Sequence, residues 1–593
     1  MIAAHQPVTD DEIDSPVLIV GAGPNGLLTA FILSELGVPS MIIERYNDRL
    51  AAPKAHELCP RALEIFRHAG LDSNHIRRLG TCRDDAYWVN FLTQLSAGPI
   101  ARLPFERMDV DVLEHTPEMV HNIAQPTIEA LIQDRLPNTY ELRRNHSYVS
   151  SKEIDGIVHS TVEDRTSGSC YTIRSRFVIG CDGARSKVRT SLNIDMEGED
   201  TYDTMMTIHF KAQLRPIVGK NLGMLNWVMD PEVAGFIIGY DLDEDQVLIC
   251  NFDSKKMPIH LWTREHAHKT VIAAIGKDVP VEVLSYRPWT FSRRVAKSYR
   301  AGRVFLVGDA AHCFPPTGGL GLNLGIGDVQ NLAWKIAAVH HRWASISILD
   351  SYELERLPIA QIYSKQAMKY GGKIFGLLKT MGTTDPDVEI SRQNLYRTVN
   401  DPARQDAIHN GIEDQREHFS NLDMHIGYVY GNWQNPDDAS KYIPKFIPGI
   451  RLPHTWVEPV AIPASGLPPA IDVSYVKEFS QGDIQSRRYS TLDLCARDSF
   501  TVFVFSSKSC DFVGDVFEVL ASRLEDTTVP FKTVIVSEQL RDLEQSREGR
   551  NWLGLSGLKE GRILIVRPDQ HILACVEEGS TSDHVAEKIL EYL

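Results

Sequence analysis

The sequence has no apolar run near the length of a membrane span, no C-x-x-C pair and no excess of positive charge. Each absence excludes a class of protein. The first argues against a transmembrane chain. The nine cysteines are odd in number and scattered over 593 residues, so they do not make a disulfide framework or a zinc site. They read as reduced thiols in a cytoplasmic protein, with no metal expected. Lys and Arg total 62 against 78 Asp and Glu, a formal charge of −16. That balance argues against a nucleic-acid partner, which needs basic surface to neutralise phosphates. The first residues carry Asp10, Asp11, Glu12 and Asp14 without an apolar core, so no secretory signal is expected. There are no internal repeats and no low-complexity tract.

What is present is a chain too long for one core, with 43% hydrophobic and 24% charged residues, for which two or three globular domains are expected. The apolar run Val17-Leu18-Ile19-Val20 leads into Gly21-Ala22-Gly23-Pro24-Asn25-Gly26 and then the helix-forming Leu27 to Leu33. This is G-x-G-x-x-G between a strand and a helix. Gly21 permits the tight turn, Gly23 lets a pyrophosphate approach the backbone, and Gly26 allows the helix to pack close to the strand. Pro24, inside the motif, is counted with these glycines as a cofactor contact. A second apolar strand, Met41-Ile42-Ile43, ends at Glu44-Arg45. Glu44 stands where an acidic residue takes a ribose hydroxyl, and Arg45 is placed to stack on or contact the adenosine.

A later strand, Arg303 to Val307, runs into Gly308-Asp309-Ala310-Ala311-His312 and then Pro315-Pro316-Thr317-Gly318-Gly319-Leu320-Gly321-Leu322-Asn323. Asp309 is an acceptor suited to the ribityl hydroxyls of FAD. A Gly-rich turn opening a helix at Gly319, Gly321, Leu322 and Asn323 offers N–H groups to the electron-rich N1/O2 edge, with Pro316 as a rigid backbone beside the ring. His312 reads as structural. Between these two motifs, the strand Arg176 to Ile179 enters Gly180-Cys181-Asp182-Gly183-Ala184-Arg185.

G-x-G-x-x-G, an internal D-G and a later G-D, in this order, resemble the group A flavoprotein monooxygenases, specifically the phenol hydroxylase branch. Lys54 to Phe66, Asn122 to Pro126 and Tyr352 to Pro358 match as well, so the likeness covers most of residues 15–380. The resemblance implies FAD as cofactor. It also implies NADPH, or NADH, as a transient co-substrate in a groove beside Asp182 and Arg185, because the chain carries no second complete G-x-G-x-x-G. Gln125, in an Asn-x-x-Gln context at a helix start, reads as a cofactor contact.

The expected architecture is α/β. Residues 1–190 form the first part of a doubly wound FAD-binding domain and 301–380 its second part. Residues 191–300 form an antiparallel substrate-side sheet, built on stretches such as Thr204 to Phe210, Gly235 to Tyr240 and Gln246 to Cys250. A helical segment and proline-rich linker fill 381–450. Residues 451–593 are similar to the thioredoxin-like domain of the phenol hydroxylase branch, without its dithiol: Ser506 to Cys510 offers one thiol only. A structural or dimer-stabilising role is expected for this domain, and a homodimer is left open.

Reduced flavin and dioxygen give a C4a-hydroperoxide with an electrophilic distal oxygen, so the expected partner is a small phenolic or related electron-rich aromatic substrate. A general base near the flavin is useful, because phenol deprotonation enriches the ring carbons. Where the resembling family carries an acidic residue, this chain has His56, which can accept or relay the phenolic proton. Glu57 is a second choice. Tyr240, Asn226-Trp227, Tyr286 and Trp289, on expected sheet strands, are further candidates for the cavity wall. Baeyer–Villiger insertion, epoxidation or dearomatisation leave the same nucleotide motifs, and so does a non-catalytic flavin-binding interaction protein. A flavin halogenase is disfavoured because W-x-W-x-I-P is absent.

Overall fold

The computed structural model describes residues 13–48, 53–136, 140–252, 254, 257–431, 433–463, 466–524, 528–541, 547–577 and 579–593. The acidic stretch Asp10 to Glu12 lies outside them. Among the described residues no helix is long and apolar enough to cross a membrane.

An eight-stranded sheet carries the nucleotide motifs. Its main path runs Arg300–Ala301, Val304–Leu306, Cys170–Gly180, Ser15–Val20, Ser40–Glu44, Tyr140–Arg144. The five strands from Val304–Leu306 onward pair in parallel, and the hairpin His146–Ile154/Ile157–Asp164 adds antiparallel strands on Cys170–Gly180. Parallel strands are covered on both faces and therefore apolar throughout: Val17, Leu18, Ile19, Val178, Ile179 and Phe305 are buried together with the helices Pro24–Glu35 and Leu320–His340. The latter is buried along most of its length, which is why its sequence shows no polar stripe.

A second eight-stranded sheet runs His312–Cys313, Val281–Ala296, Met196–Ala212, Asp245–Phe252, Gly235–Asp241, Leu225–Val228, Trp88–Leu92, Pro99–Pro104. The expected strands at 204–210, 235–240 and 246–250 all fall inside it. Its membership departs from the sequence reading at both ends. Trp88–Leu92 and Pro99–Pro104, expected in the nucleotide-binding part, pair here, and so does His312–Cys313 after the G-D motif. One sheet face packs against the helix Arg264–Ile275 through Trp262, Ala267, Val271 and Ile275. The other face, through Met205, Leu225, Ile238 and Ile249, looks toward the helix Asp350–Met381 and the short helices that follow it. That 32-residue helix is about 48 Å long at 1.5 Å per residue, long enough to reach from the first sheet's core across the face of the second.

In the carboxy-terminal part, Phe500–Val504 pairs in parallel with Phe531–Ile535 and antiparallel with Ile563–Val566, which pairs antiparallel with Ile572–Val576. The helices Cys510–Arg523 and Ser582–Tyr592 pack on this sheet through Val513, Val516, Phe517, Val585 and Ile589. The chain joins it just before residue 451: the Gly449 N–H donates to the Ile572 carbonyl and the Ile572 N–H to the Ile450 carbonyl, each at 2.8 Å.

Candidate functional site

A cavity of about 1030 Å³ runs from the first glycine motif, past the turn Pro315–Leu322, to the inward face of the second sheet. The local backbone explains why glycine is needed here. Gly21 has φ +106°, and a Cβ on it would come within 2.5 Å of the Cys181 carbonyl oxygen. A Cβ on Gly26 would come within 1.9 Å of the Gly21 carbonyl oxygen, so helix and strand approach to a distance that only glycine permits. At Gly23, by contrast, a Cβ would meet nothing within 4 Å. Its backbone lies open on the cavity wall.

Two long helices begin at this wall without a side-chain cap: Pro24–Glu35 after Gly23, and Leu320–His340 after Gly319 in the left-handed region at φ +67°. Their first-turn N–H groups and positive dipole ends are available to anionic ligand atoms. Elsewhere the starts are mixed: Ser186, Asp72, Thr263 and Asp387 cap theirs with side chains, whereas Asp350–Met381 and Cys510–Arg523 begin without one. Asp309 is exposed to the cavity, and its carboxylate has no partner among the described residues. Glu44 accepts the Ala22 N–H at 2.9 Å and the Tyr46 N–H at 3.0 Å through its two oxygens, and keeps further lone pairs at the wall. The amide oxygen of Asn25 is buried there without a hydrogen bond. A pyrophosphate over Gly23, a ribose at Glu44, ribityl hydroxyls at Asp309 and an electron-rich ring edge at the Leu320–Leu322 N–H groups would meet these demands together. The residues present fit FAD.

Of the residues singled out in the sequence, Gly21, Gly23, Pro24, Glu44, Arg45, Gln125, Asp182, Asp309, Pro316, Gly319, Gly321, Leu322 and His56 lie on the cavity wall. Gly26 lies behind it at the helix–strand contact. Asn323 is buried outside this wall, and its side chain accepts the Cys59 N–H at 3.0 Å and donates to the Glu57 and Gly319 carbonyls, clasping the 57–59 segment to the helix start. Asp182 accepts the Lys187 and Val188 N–H groups at 2.7 and 3.1 Å and so closes the start of the helix Lys187–Ser191. Gln125 accepts from the Ala55 N–H and donates to Glu129.

Three aromatic residues proposed for the wall are not on it. Tyr286 lies on the opposite sheet face, with its hydroxyl on the Trp262 carbonyl at 3.2 Å and its ring against that apolar cluster. Tyr240 is buried behind the Ala55–Glu57 segment, its hydroxyl 3.4 Å from the Ala55 carbonyl. Burial raises its phenol pKa well above the ordinary value. Trp289 donates to Thr207. Trp227 does line the cavity, whereas its neighbour Asn226 faces away and pairs with Asn90.

Glu57, the second choice as base, is held in a buried ion pair with Arg107 beneath the Gly318-Gly319 turn, and a Cβ on Gly319 would come within 2.4 Å of the Glu57 carboxylate. Arg107 also reaches His425 at 2.8 Å and the Phe419 carbonyl at 3.2 Å. His418 accepts the Gly318 N–H at 2.7 Å and lies flat between Tyr370 and Phe419, with ring centroids 5.1 and 4.5 Å away. Burial drives its pKa down to about 3, so it stays neutral. The sequence reading passed over Arg107, His418 and Phe419 on the wall, because they come from a 3-10 turn and a short helix with no motif. It also passed over Met368, Gly371, Gly372, Phe375 and Leu378, which recur along one face of the helix Asp350–Met381 and line the cavity opposite the sheet. Here a signal existed: a Gly-Gly pair inside an otherwise strong helical pattern.

The catalytic candidate His56 has Nδ1 3.2 Å from Asn122 Oδ1. Burial pushes its pKa below the usual imidazole value, against the upward pull of Glu57 and Asn122. The ring is therefore neutral at physiological pH and able to accept a proton.

Comparison with known proteins agrees with this geometry. Residues 14–367 match the family described as FAD binding domain. The chain is 27% identical over 576 residues to tetracenomycin B2 monooxygenase-dioxygenase of Streptomyces olivaceus, covering 94% of each chain. It is 29% identical over 529 residues to 2,4-dichlorophenol 6-monooxygenase of Cupriavidus pinatubonensis, covering 83% of this chain and 82% of the relative. The solved structure of the flavin-dependent monooxygenase PieE in complex with FAD and substrate superposes with a TM-score of 0.85 at 25% identity, covering 98% of each chain. The protein belongs to the FAD-dependent monooxygenases of this FAD-binding-domain family.

Proposed function

We propose that this enzyme hydroxylates a phenolic or related electron-rich aromatic substrate with NAD(P)H and dioxygen. The observation that carries the reading is the position of His56: a neutral imidazole on the wall of the same cavity that fits FAD and that ends in an apolar chamber of Leu225, Trp227, Phe236, Ile238 and Phe419. Bound FAD would supply the redox chemistry, taking reducing equivalents from the nicotinamide and activating dioxygen for transfer of one oxygen atom to carbon. The chain's own part is different. Trp227, Phe236 and Phe419 bury and orient a flat ring against the apolar sheet face. His56 takes the proton of the phenolic hydroxyl, which raises electron density on the ring carbons.

Among relatives, one is named for a chlorinated phenol and another for tetracenomycin B2. These two names bracket the sizes of substrate to try. For the transient nicotinamide we retain the groove beside Arg185. Asp182 is a weaker contact for it than the sequence suggested, since its carboxylate closes a helix. The carboxy-terminal unit reads as thioredoxin-like from its strand order and two flanking helices, with Cys510 as a single thiol. All nine cysteines are free, which suits a cytoplasmic enzyme.

The test is a phenol and polycyclic-phenol panel screened for accelerated NADPH and NADH oxidation, followed by product mass under ¹⁸O₂. Stimulated oxidation with one labelled oxygen on an intact ring supports the reading. Ring expansion would move it to Baeyer–Villiger chemistry, and no stimulation by any phenol would overturn it. In the same assay His56→Gln should retain FAD and lower kcat by about 100-fold or more, the usual size of a general-base contribution. Because burial lowers the His56 pKa, wild-type turnover should hold through neutrality and fall only below the ordinary imidazole range.

A further inference from the structure

The carboxamide of Asn122 is fully buried and its hydrogen bonds leave it one orientation. Its Nδ2 donates to Thr81 Oγ1 at 2.8 Å and to the Gly239 carbonyl at 3.1 Å. The Thr81 hydroxyl proton is committed to the Tyr240 carbonyl at 2.7 Å, so the Thr81 oxygen faces Asn122 as an acceptor. Two acceptors on that side require the NH₂ group there, and Oδ1 must point the other way. It points at His56 Nδ1, 3.2 Å distant, and a carbonyl oxygen can only accept. The proton of the neutral imidazole therefore sits on Nδ1 and the lone pair on Nε2. Nε2 makes no hydrogen bond to the described residues, and His56 lies on the cavity wall.

We propose that Asn122, itself oriented by Thr81 and Gly239, is a positioning residue that locks His56 in the Nδ1–H tautomer, so that Nε2 is presented to the cavity as the proton acceptor. The proposal rests on the reading that His56 takes the phenolic proton, and adds how it is made ready to do so. The lock also serves the step itself. When Nε2 accepts a proton from a hydroxyl, that O–H bond breaks, its electron pair stays on the phenolate oxygen, and the new cation keeps Nδ1–H on the Asn122 oxygen as a stronger, charge-assisted bond. A neutral amide suits the task better than a carboxylate, which would hold the ring protonated before substrate arrives. The charged groups facing His56 are Glu57 on its own segment and Arg107 on the neighbouring turn, and these are paired with each other. The first-neighbour partner that decides the tautomer is thus the uncharged Asn122.

The experiment uses the FAD-loaded full chain with ¹⁵N-labelled histidine, His56 being assigned as the signal pair lost in His56→Gln. The expected result is a protonated Nδ1 and an unprotonated Nε2 near neutral pH. Asn122→Asp should keep Nδ1 protonated while moving the acidic limb of the kcat profile to higher pH, because the carboxylate favours the cation. Asn122→Leu should give mixed tautomers and lower kcat about 10- to 100-fold, as losses of an orienting partner usually do, with FAD content and KM little changed. Thr81→Val, a milder change, should shift the same signals in the same direction. A proton on Nε2 in the wild type, or Asn122→Leu with unaltered tautomer and kcat, would overturn the proposal. If instead the Nδ1–H tautomer is found but His56→Gln turns over normally at every pH, the base role fails and the lock alone stands.

Discussion

The cavity wall and the seam beneath the carboxy-terminal unit are both built of buried charged and polar groups, but they place their carboxylates differently. At the seam the carboxylates are saturated, although Arg61 Nε, Gln330 Nε2 and His571 Nε2 stay buried without a partner. Glu355 accepts from Arg567 at 2.6 and 3.0 Å, from Lys335 at 2.8 Å, from Asn331 at 2.7 Å and from Tyr592 at 3.2 Å. Burial opposes its ionisation, yet Arg567 and Lys335 outweigh burial and hold its pKa at about 2. Nearby, Glu64 takes Arg61 and Arg451, and Arg61 also reaches Gln570 and the Asp569 carbonyl from the far unit. At the cavity, the Asp309 carboxylate, the Asn25 amide oxygen, His56 Nε2 and two uncapped helix starts each keep capacity in reserve. Burial and charge alone do not distinguish a binding site from a structural seam. What differs is where the spare capacity lies: at the seam on nitrogens enclosed among ion pairs, at the cavity on acceptors and helix starts that open onto the wall.

The comparison breaks if the two sides respond alike to the loss of a carboxylate. Glu355→Ala leaves Arg567 and Lys335 buried without their main counter-charge, and should cost about 3–5 kcal/mol of stability in denaturant unfolding while each folded molecule still binds FAD. The folded value of about 2 lies below the unfolded value of 4.5. The wild-type contribution of this carboxylate is therefore complete above about pH 4.5 and is lost as pH falls toward 2. Unfolding curves that superimpose for wild type and variant would show the seam to be redundant. Asp309→Ala should do the reverse: apo-protein unfolding unchanged, and the FAD dissociation constant raised about 10- to 100-fold, the loss of one or two hydrogen bonds to a charged group. Stoichiometric yellow cofactor surviving dilution would place the ribityl contact elsewhere.

Much of the cavity side could be read in the sequence because its determinants are local. Gly21, Gly23 and Gly26, the Glu44 carboxylate 23 residues after Gly21, and the Asp309-to-Leu322 turn each specify their own backbone, and each sits on or directly behind the wall. What escaped was set by long-range pairing. Trp88–Leu92 joins the second sheet only because Leu225–Val228 offers it a parallel edge. Tyr286 was assigned to the wrong face because strand alternation fixes sides only relative to a known neighbour, here Ile208, which belongs to the outer cluster. Glu57 read as a second choice of base, yet its partner Arg107 lies 50 residues away in a 3-10 turn. The lock on His56 draws on Thr81, Asn122 and Gly239, three segments with no shared motif.

The smallest effect concerns Gly371 and Gly372, where the open side of the molecule gives up stability for space. Both lie inside the helix Asp350–Met381, and a Cβ on either would meet nothing within 4 Å and would project at the cavity wall. Glycine at a helix interior costs about 0.5–1 kcal/mol relative to alanine, and neither position has the positive φ or close neighbour that would require it. Replacing both with alanine should therefore stabilise the apo-protein by about 1–2 kcal/mol. The two methyl groups also narrow the chamber opposite Trp227 and Phe236. KM for a multi-ring phenol should rise several-fold, while KM for a single-ring phenol and the affinity for FAD stay put. Greater stability with an unchanged KM for both substrates would mean that the ring system does not reach this helix, and would confine the binding chamber to the sheet side.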